Sequence, residues 1–332
     1  MNENKNDFAK LSLSASMLGN LEQLGYLQMT AIQAASLPVT LAGKDLIAQA
    51  STGSGKTAAF GIPLVEKILP ADFAVQAMIL CPTRELADQV SQEIRRLARS
   101  VGNVKVVTLC GGVALRGQVL SLEHGAHVVV GTPGRVLDHL RRGSLSLEAL
   151  RSLVLDEADR MLDLGFIDDI LRVAEFLPED RQNLLFSATY SKSIKRLADE
   201  LLDQPRRIEV ERRNIAADAI TQAIYPVERS RKREMLSHLI RKGNWSQVLV
   251  FTRTRYGADK LTDELLFDGI KAAPIHSNKS QSIRTRTLAE FKKGEVRVLV
   301  ATDVAARGLD IANLPYVVNY ELPQVPEDYV HR

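Results

Sequence analysis

Two short stretches hold residues whose types and spacing suit phosphate chemistry. Ala50 to Thr57 reads Ala-Ser-Thr-Gly-Ser-Gly-Lys-Thr, and Asp156 to Asp159 reads Asp-Glu-Ala-Asp. In the first, Gly53 and Gly55 leave room for backbone N–H groups to curl around an anion, and a helix starting there adds the positive end of its dipole. Lys56 is placed to reach the β- and γ-phosphates of a nucleoside triphosphate, and the Thr57 hydroxyl to ligate Mg²⁺. Ala50 stands where the general pattern has its first glycine. An ordinary Gly-rich turn looks similar in isolation, so the flanks decide. Apolar Leu46-Ile47-Ala48 precedes the loop and a helix-like segment from Thr57 to Leu69 follows it, which is the setting of a phosphate-binding loop.

In the second stretch, Leu153-Val154-Leu155 runs directly into the carboxylates. Asp156 at the end of such a strand can hold Mg²⁺ through water, and Glu157 can orient or deprotonate an attacking water. Metaphosphate-like transfer asks for positioning and charge neutralisation more than covalent chemistry, and a lysine, a metal and two carboxylates supply both.

These groups require a rigid frame, and the rest of the chain has the pattern of one. Apolar runs at Leu46–Gln49, Ala77–Cys81, Val104–Leu109, Val128–Val130, Leu153–Leu155, Leu184–Phe186 and Ile208–Val210 alternate with amphipathic segments such as Leu86–Ala98 and Ile194–Leu202. Buried parallel strands with covering helices produce that rhythm. Glu211 to Asp218 has no apolar periodicity and reads as part of a linker. A second series follows, with strands expected at Ile224–Val227, Val248–Thr252, Ala272–His276, Val296–Ala301 and Val317–Tyr320. The expected organisation is a helical region at 1–40, an α/β domain at 41–210, a linker at 211–219 and a second α/β domain at 220–332. Within the first region, a helix is expected over residues 11–25 and another ending near Leu41. Phe8 and Gln33 there could meet the face and edge of a base. The plainer reading makes Phe8 a core anchor and Gln33 a surface polar residue.

Several of these strands end in a hydroxyl residue, often beside Pro or Arg: Pro82-Thr83-Arg84, Thr132-Pro133-Gly134-Arg135, Ser187-Ala188-Thr189, Thr252-Arg253 and Thr302-Asp303. Ligands of open α/β sheets bind outside the carboxyl ends of the strands. A row of threonines and arginines there suits phosphate oxygens, although threonine also favours strands by propensity alone.

The composition is that of a soluble globular protein: 332 residues, 45% hydrophobic, 25% charged, with a formal charge of +3. So mild a charge requires any nucleic-acid site to be a local patch. Cys81 and Cys110 lie in apolar runs, which favours buried free thiols over a disulfide or metal site. The polar N-terminus is no signal peptide, no apolar stretch approaches the ~20 residues of a spanning helix, and a reducing cytoplasm fits best.

With these residues in place the chain closely resembles the DEAD-box ATP-dependent RNA helicases, whose name spells Asp156-Glu157-Ala158-Asp159. The family's motifs follow in order: a Q motif around Phe8 and Gln33, the phosphate loop, Pro82 to Ala87, Gly111-Gly112, Thr132 to Arg135, Ser187 to Thr189, Val248 to Thr252, Gln281 with Arg284, and Ala301 to Asp310. The second half is most similar to the bacterial RhlE type, while Leu80–Val90 is more similar to the DbpA type. The resemblance implies an α/β fold of two tandem RecA-like domains with parallel sheets, with ATP and RNA bound across the cleft between them. By motif, Phe8 and Gln33 would recognise adenine. Ser51, Thr52, Gly53, Ser54, Gly55, Lys56 and Thr57 would hold the phosphates, and Gly308 and Asp310 would meet the nucleotide from the second domain. Ser187 and Thr189 would link the ATP state to domain closure through Asp159. Thr83, Arg84, Gly112, Thr132, Arg135, Arg253, Gln281, Arg284 and Thr302 would line the RNA backbone. Contacts of that kind read phosphates and sugars, with little sequence preference.

The family pattern is departed from at two places. Met29 and Ala31 flank Thr30 where prolines are usual, which is expected to loosen the turn presenting Gln33. The sequence also stops at His331-Arg332, short of the family's arginine fingers, each worth ~10³–10⁵ in rate. A second domain incomplete at its C-terminus is therefore expected. The competing readings are an ATP-dependent RNA-binding clamp or catalytically weakened fragment, and a P-loop DNA helicase or translocase.

Overall fold

A computed structural model of the protein describes residues 6–50, 53–210, 220–303, 311, 314–323 and 329. The chain divides into two compact units, residues 1–212 and 213–332. The linker expected at 211–219 lies outside the described residues.

The first unit is built on a parallel sheet of β1 (Leu46–Gln49), β2 (Ala77–Leu80), β3 (Val106–Leu109), β4 (Val128–Gly131), β5 (Ser152–Leu155), β6 (Gln182–Ser187) and β7 (Arg206–Glu209). Their spatial order is β3-β4-β2-β5-β6-β1-β7. Side chains alternate across each strand, so one sequence feeds two cores. Ala77 and Ile79 of β2 face the same core as Ala48, Val154 and Phe186. That side is covered by α1 (Ala15–Gln23), α2 (Ala31–Leu41), α3 (Lys56–Glu66) and α4 (Arg84–Leu97). Met78 and Leu80 face the other core with Ile47, Val129 and Leu185. It is closed by α6 (Pro133–Arg141), α7 (Ala158–Asp163), α8 (Ile167–Ala174) and α9 (Lys192–Leu201), while α5 (Leu115–Glu123) follows β3. Burial on both faces explains why these strands read as unbroken apolar runs.

The second unit has a parallel sheet of β8 (Val248–Thr252), β9 (Ala272–Ile275), β10 (Val298–Thr302) and β11 (Tyr316–Asn319), ordered β11-β8-β10-β9. Val248 and Val250 pack with α10 (Lys232–Lys242) and α11 (Arg255–Phe267), whereas Leu249 and Phe251 pack with α12 (Gln281–Lys292). Both sheets are parallel and helix-covered, the fold class expected.

Some elements differ from expectation. The segment Ile224–Val227 is no strand: Ile224 is 92% exposed and pairs with no strand among the described residues. Its apolar residues marked β propensity, which only a partner strand converts into structure. The helix expected over 11–25 is shorter, Ala15–Gln23, because Ser14 caps it and a separate 3₁₀ turn forms at Phe8–Lys10. The helix after the phosphate loop starts at Lys56 and ends at Glu66 rather than Leu69. Cys81 and Cys110 are buried free thiols, and burial pushes the Cys110 thiol up to about 12. No helix among the described residues is long and apolar enough to cross a membrane.

Candidate functional site

Because β6 lies between β1 and β5, the loops after these three strands emerge side by side at the carboxyl edge of the first sheet. They carry the phosphate loop, Ser187–Thr189 and Asp156–Asp159. Lys56 opens α3 with 5% exposure and points its Nζ at Asp156 Oδ1, 3.0 Å away, and Glu157 Oε1, 3.3 Å away. Burial alone would lower the Lys56 amine; the two carboxylates outweigh it and hold the ammonium well above its usual range. Asp156 is fully buried, which raises its carboxyl, and the Lys56 charge opposes that rise.

Two neighbouring carboxylates can meet one ammonium only if the strand's alternation breaks between them. It breaks at Glu157, which adopts left-handed φ 54° and ψ 54° as it caps α7. A non-glycine residue held there costs about 1–3 kcal/mol, so the packed sheet edge keeps Glu157 in a conformation it would otherwise leave. Asp156 Oδ2 is buried without a hydrogen-bond partner among the described residues. A carboxylate oxygen is a hard donor that suits Mg²⁺ better than a softer metal, as is the hydroxyl of half-buried Thr57.

Of the phosphate loop, Ser51 and Thr52 lie outside the described residues. Gly53 (φ 78°) and Gly55 (φ 90°) take left-handed turns, and Gly55 caps α3. Gln33, a surface residue on the plainer of its two readings, is 1% exposed. Its amide is committed at both ends: Oε1 accepts from Thr30 N–H at 2.9 Å and Nε2 donates to Gly55 O at 3.0 Å. With Thr30 Oγ1 facing Gln33 N–H, this is a complete capping box. The turn is therefore not loosened by Met29 and Ala31. Met29 in fact supplies an N–H that proline lacks, donated to Asn6 O at 2.7 Å. Phe8 is 4% exposed and meets Tyr26 edge to face with centroids 6.4 Å apart, so it anchors the loop in the core.

Asp159 joins two motifs. Its Oδ2 accepts from Ala188 N–H at 3.1 Å, Thr189 N–H at 2.9 Å and Thr189 Oγ1 at 3.1 Å, while its own N–H donates to Ser187 Oγ at 3.3 Å.

Beyond β5, the edge passes to β2, β4 and β3 and to the residues expected on a nucleic-acid backbone. Thr83 caps α4, accepting from Leu86 N–H at 3.3 Å. The Arg84 guanidinium lies against the backbone of Gly111 and Gly112 and has no ion pair among the described residues. Gly112 sits at φ 75°, and a Cβ there would come within 1.9 Å of Arg84 Nη1. Thr132 precedes α6, whose first residue is Pro133. Arg135 Nη1 donates to Val113 O at 3.1 Å and to Gln118 Oε1 at 3.0 Å. Gln118 and its neighbour His139 gave no sequence signal, since neither stands in a motif. They are legible only once α5 and α6 are packed.

In the second unit, the ends of β8 and β10 are neighbours, with Thr252 in register with Thr302 and both buried. Arg253 donates its N–H to Glu321 Oε2 at 2.7 Å. Gln281 opens α12 and Arg284 follows within its first turn, after Ser280, whose hydroxyl accepts from Ile283 N–H at 3.4 Å. The preceding loop is tied down where Asp259 Oδ1 meets His276 Nε2 at 3.0 Å and Lys279 Nζ at 2.8 Å. Gly308 and Asp310 lie outside the described residues.

The chain is similar in sequence and fold to known proteins. A family model described as DEAD/DEAH box helicase matches residues 30–197, and one described as helicase conserved C-terminal domain matches residues 231–332. The chain is 49% identical over 320 residues to the ATP-dependent RNA helicase DbpA of Escherichia coli, covering 96% of this chain and 70% of that one. It is 43% identical over 325 residues to the DEAD-box ATP-dependent RNA helicase CshA of Streptococcus pneumoniae, covering 98% of this chain and 62% of that one. Among solved structures, S. cerevisiae Dbp5 bound to RNA and ADP BeF3 matches with a TM-score of 0.86 at 30% identity, over 98% of this chain and 85% of that chain. A DEAD box protein from the hyperthermophile Methanococcus jannaschii matches with a TM-score of 0.61 at 40% identity, over 98% and 88% of the two chains.

Proposed function

The chain belongs to the DEAD/DEAH box helicase family, and from that premise we propose that it is an ATP-dependent RNA helicase. It binds ATP with Mg²⁺, hydrolyses it when RNA is bound, and uses the cycle to open short duplexes or remodel RNA–protein complexes in the cytoplasm. The observation that carries the reading is the buried cluster of Lys56 with Asp156 and Glu157 at the mouth of the phosphate loop. Lys56 exchanges its carboxylate partners for the β- and γ-phosphates, which frees Glu157 to orient and deprotonate the attacking water. Thr57 and Asp156 would hold Mg²⁺, which would supply charge neutralisation at the phosphates.

To meet the adenine, Gln33 would turn its amide from Thr30 and Gly55 toward the base, and Phe8 would turn its ring face outward. The loop from Ser51 to Thr57 holds the phosphates, and Gly308 and Asp310 complete the nucleotide contacts. Asp159 relays the nucleotide state to Ser187 and Thr189. Arg84, lacking an ion pair among the described residues, supports a polyanion at the carboxyl edge. Thr83, Gly112, Thr132 and Arg135 accompany it along the sugar–phosphate backbone, with Arg253, Gln281, Arg284 and Thr302 from the second unit. Little base selectivity follows from contacts of this kind.

Phosphate release measured with and without RNA tests the proposal. RNA should stimulate it, and Lys56→Ala and Glu157→Gln should each abolish the stimulated rate. Equal stimulation by single-stranded DNA, or none by RNA in a chain lengthened through the arginine fingers, would sink it.

A further inference from the structure

A buried polar network lies beneath the loops assigned to the RNA backbone, and its centre is Gln118. This residue projects from α5 and is 6% exposed. Its Nε2 donates to Cys110 O at 2.8 Å, the carbonyl immediately before Gly111-Gly112. Its Oε1 accepts from Arg135 Nη1 at 3.0 Å and faces His139 Nε2 at 3.0 Å. Arg135 Nη1 reaches onward to Val113 O at 3.1 Å, on the far side of the same glycine pair. One amide therefore links the loop after β3 to the helix that follows β4.

The chemistry of the partners fixes which way round the amide sits. Only a nitrogen can face the Cys110 carbonyl, and only an oxygen can face the Arg135 guanidinium. Since Oε1 is acceptor only, His139 must carry its hydrogen on Nε2, and its Nδ1 accepts from Ser144 Oγ, 2.8 Å away. Every member of the chain Cys110–Gln118–His139–Ser144 is then satisfied. No other side chain of this length does the same work. A methionine would leave a buried carbonyl and a buried imidazole N–H unmet, and a glutamate would set a carboxylate oxygen against the Cys110 carbonyl.

We propose that Gln118 is a positioning residue for RNA: its amide holds the Gly111-Gly112 loop and the Arg135 guanidinium in the spacing that receives consecutive backbone phosphates. The proposal rests on the RNA reading given above. Gln118 touches no RNA itself. It acts through Arg135 and the loop, so its removal weakens RNA capture more than the chemistry that follows.

The test is a double-mutant cycle on the full chain, reading ATP hydrolysis against the concentration of a single-stranded RNA oligonucleotide. Gln118→Met should raise the RNA concentration giving half-maximal stimulation by about tenfold, with the rate at saturating RNA within about twofold of the parent. Arg135→Met should give a comparable rise, and the double variant should be no worse than the weaker single one, because the two residues act as one unit. A Gln118→Met protein with unchanged RNA dependence would overturn the proposal, as would losses that multiply in the double variant. Thermal melting by circular dichroism verifies folding. Should Gln118→Met not fold, Gln118→Asn carries the same test, being polar but too short to span Cys110 O and Arg135. Failure of the parent chain to bind the RNA oligonucleotide, read by fluorescence anisotropy, overturns the RNA reading itself, a result seen before any variant is compared.

Discussion

Gln33 Nε2 donates to the Gly55 carbonyl at 3.0 Å, so the side chain that closes the N-terminus of α2 also grips the loop that opens α3. The contact needs a residue without Cβ: at Gly55, with φ 90°, an added Cβ would lie 2.6 Å from Gln33 Nε2 and 3.0 Å from Thr30 Oγ1. Gly55→Ala should therefore combine left-handed strain of about 1–2 kcal/mol with displacement of Gln33. Equilibrium titration with a fluorescent ATP analogue should show affinity reduced by tenfold or more, on the order of 1.4 kcal/mol. Gly53→Ala, at φ 78° but with nothing within 4 Å of the added Cβ, should lose less.

Asp159 offers two acceptor oxygens, and asparagine offers one. In Asp159→Asn the amide NH₂ must face either the Arg160 N–H now bound to Oδ1 or the three donors of Ala188 and Thr189 now bound to Oδ2. Charge-assisted hydrogen bonds of this type are worth about 1.5–3 kcal/mol. Amide hydrogen exchange at Ala188 and Thr189 should accelerate roughly 10- to 100-fold. Unchanged protection at both amides would argue against Asp159 as the link between the two motifs.

Arg84 and Gly112 make a linked pair of predictions. If Arg84 contacts one RNA phosphate, Arg84→Gln should lower the slope of log affinity against log salt by ~0.7 for single-stranded RNA. Gly112→Ala, whose Cβ would fall on the guanidinium, should reproduce that loss by moving Arg84 rather than removing it. Binding isotherms at several salt concentrations check both.

His139 predicts a pH dependence of stability. Burial, reinforced by the Arg135 charge, holds its imidazole below the usual 6.5. The unfolded chain therefore binds a proton that the folded chain refuses, and stability rises with pH through the interval between the two values. The contribution is present above about 6.5 and is lost as pH falls through the folded value, by at most ~1.4 kcal/mol per pH unit for one proton. Urea midpoints of the parent and of His139→Asn, compared at pH 7.5 and about 5.5, should diverge in that direction, the parent losing more on acidification.

The strands were legible because burial on both faces turns each into an apolar run, and in the first sheet every expected strand forms within two residues at either end. The carboxylate pair was legible for the same reason: Asp156 and Glu157 interrupt such a run. Ile224–Val227 misled because propensity is local whereas pairing is not. The plainer reading of Gln33 misled because a polar residue suggests the surface, and only the fold reveals that Thr30 and Gly55 satisfy its amide. The same limit hid Gln118, whose partners lie eight, 17 and 21 residues away along the chain.

The left-handed backbone at Glu157 has a practical consequence for anyone diversifying this chain. Asparagine and glycine tolerate φ 54° far better than glutamate does. A library sorted only for yield or thermal tolerance will therefore drift toward Asn or Gly at this position, and each such gain would remove the carboxylate proposed to activate water. Sturdier and inert variants would accumulate together, so a screen of this protein has to count turnover from its first round.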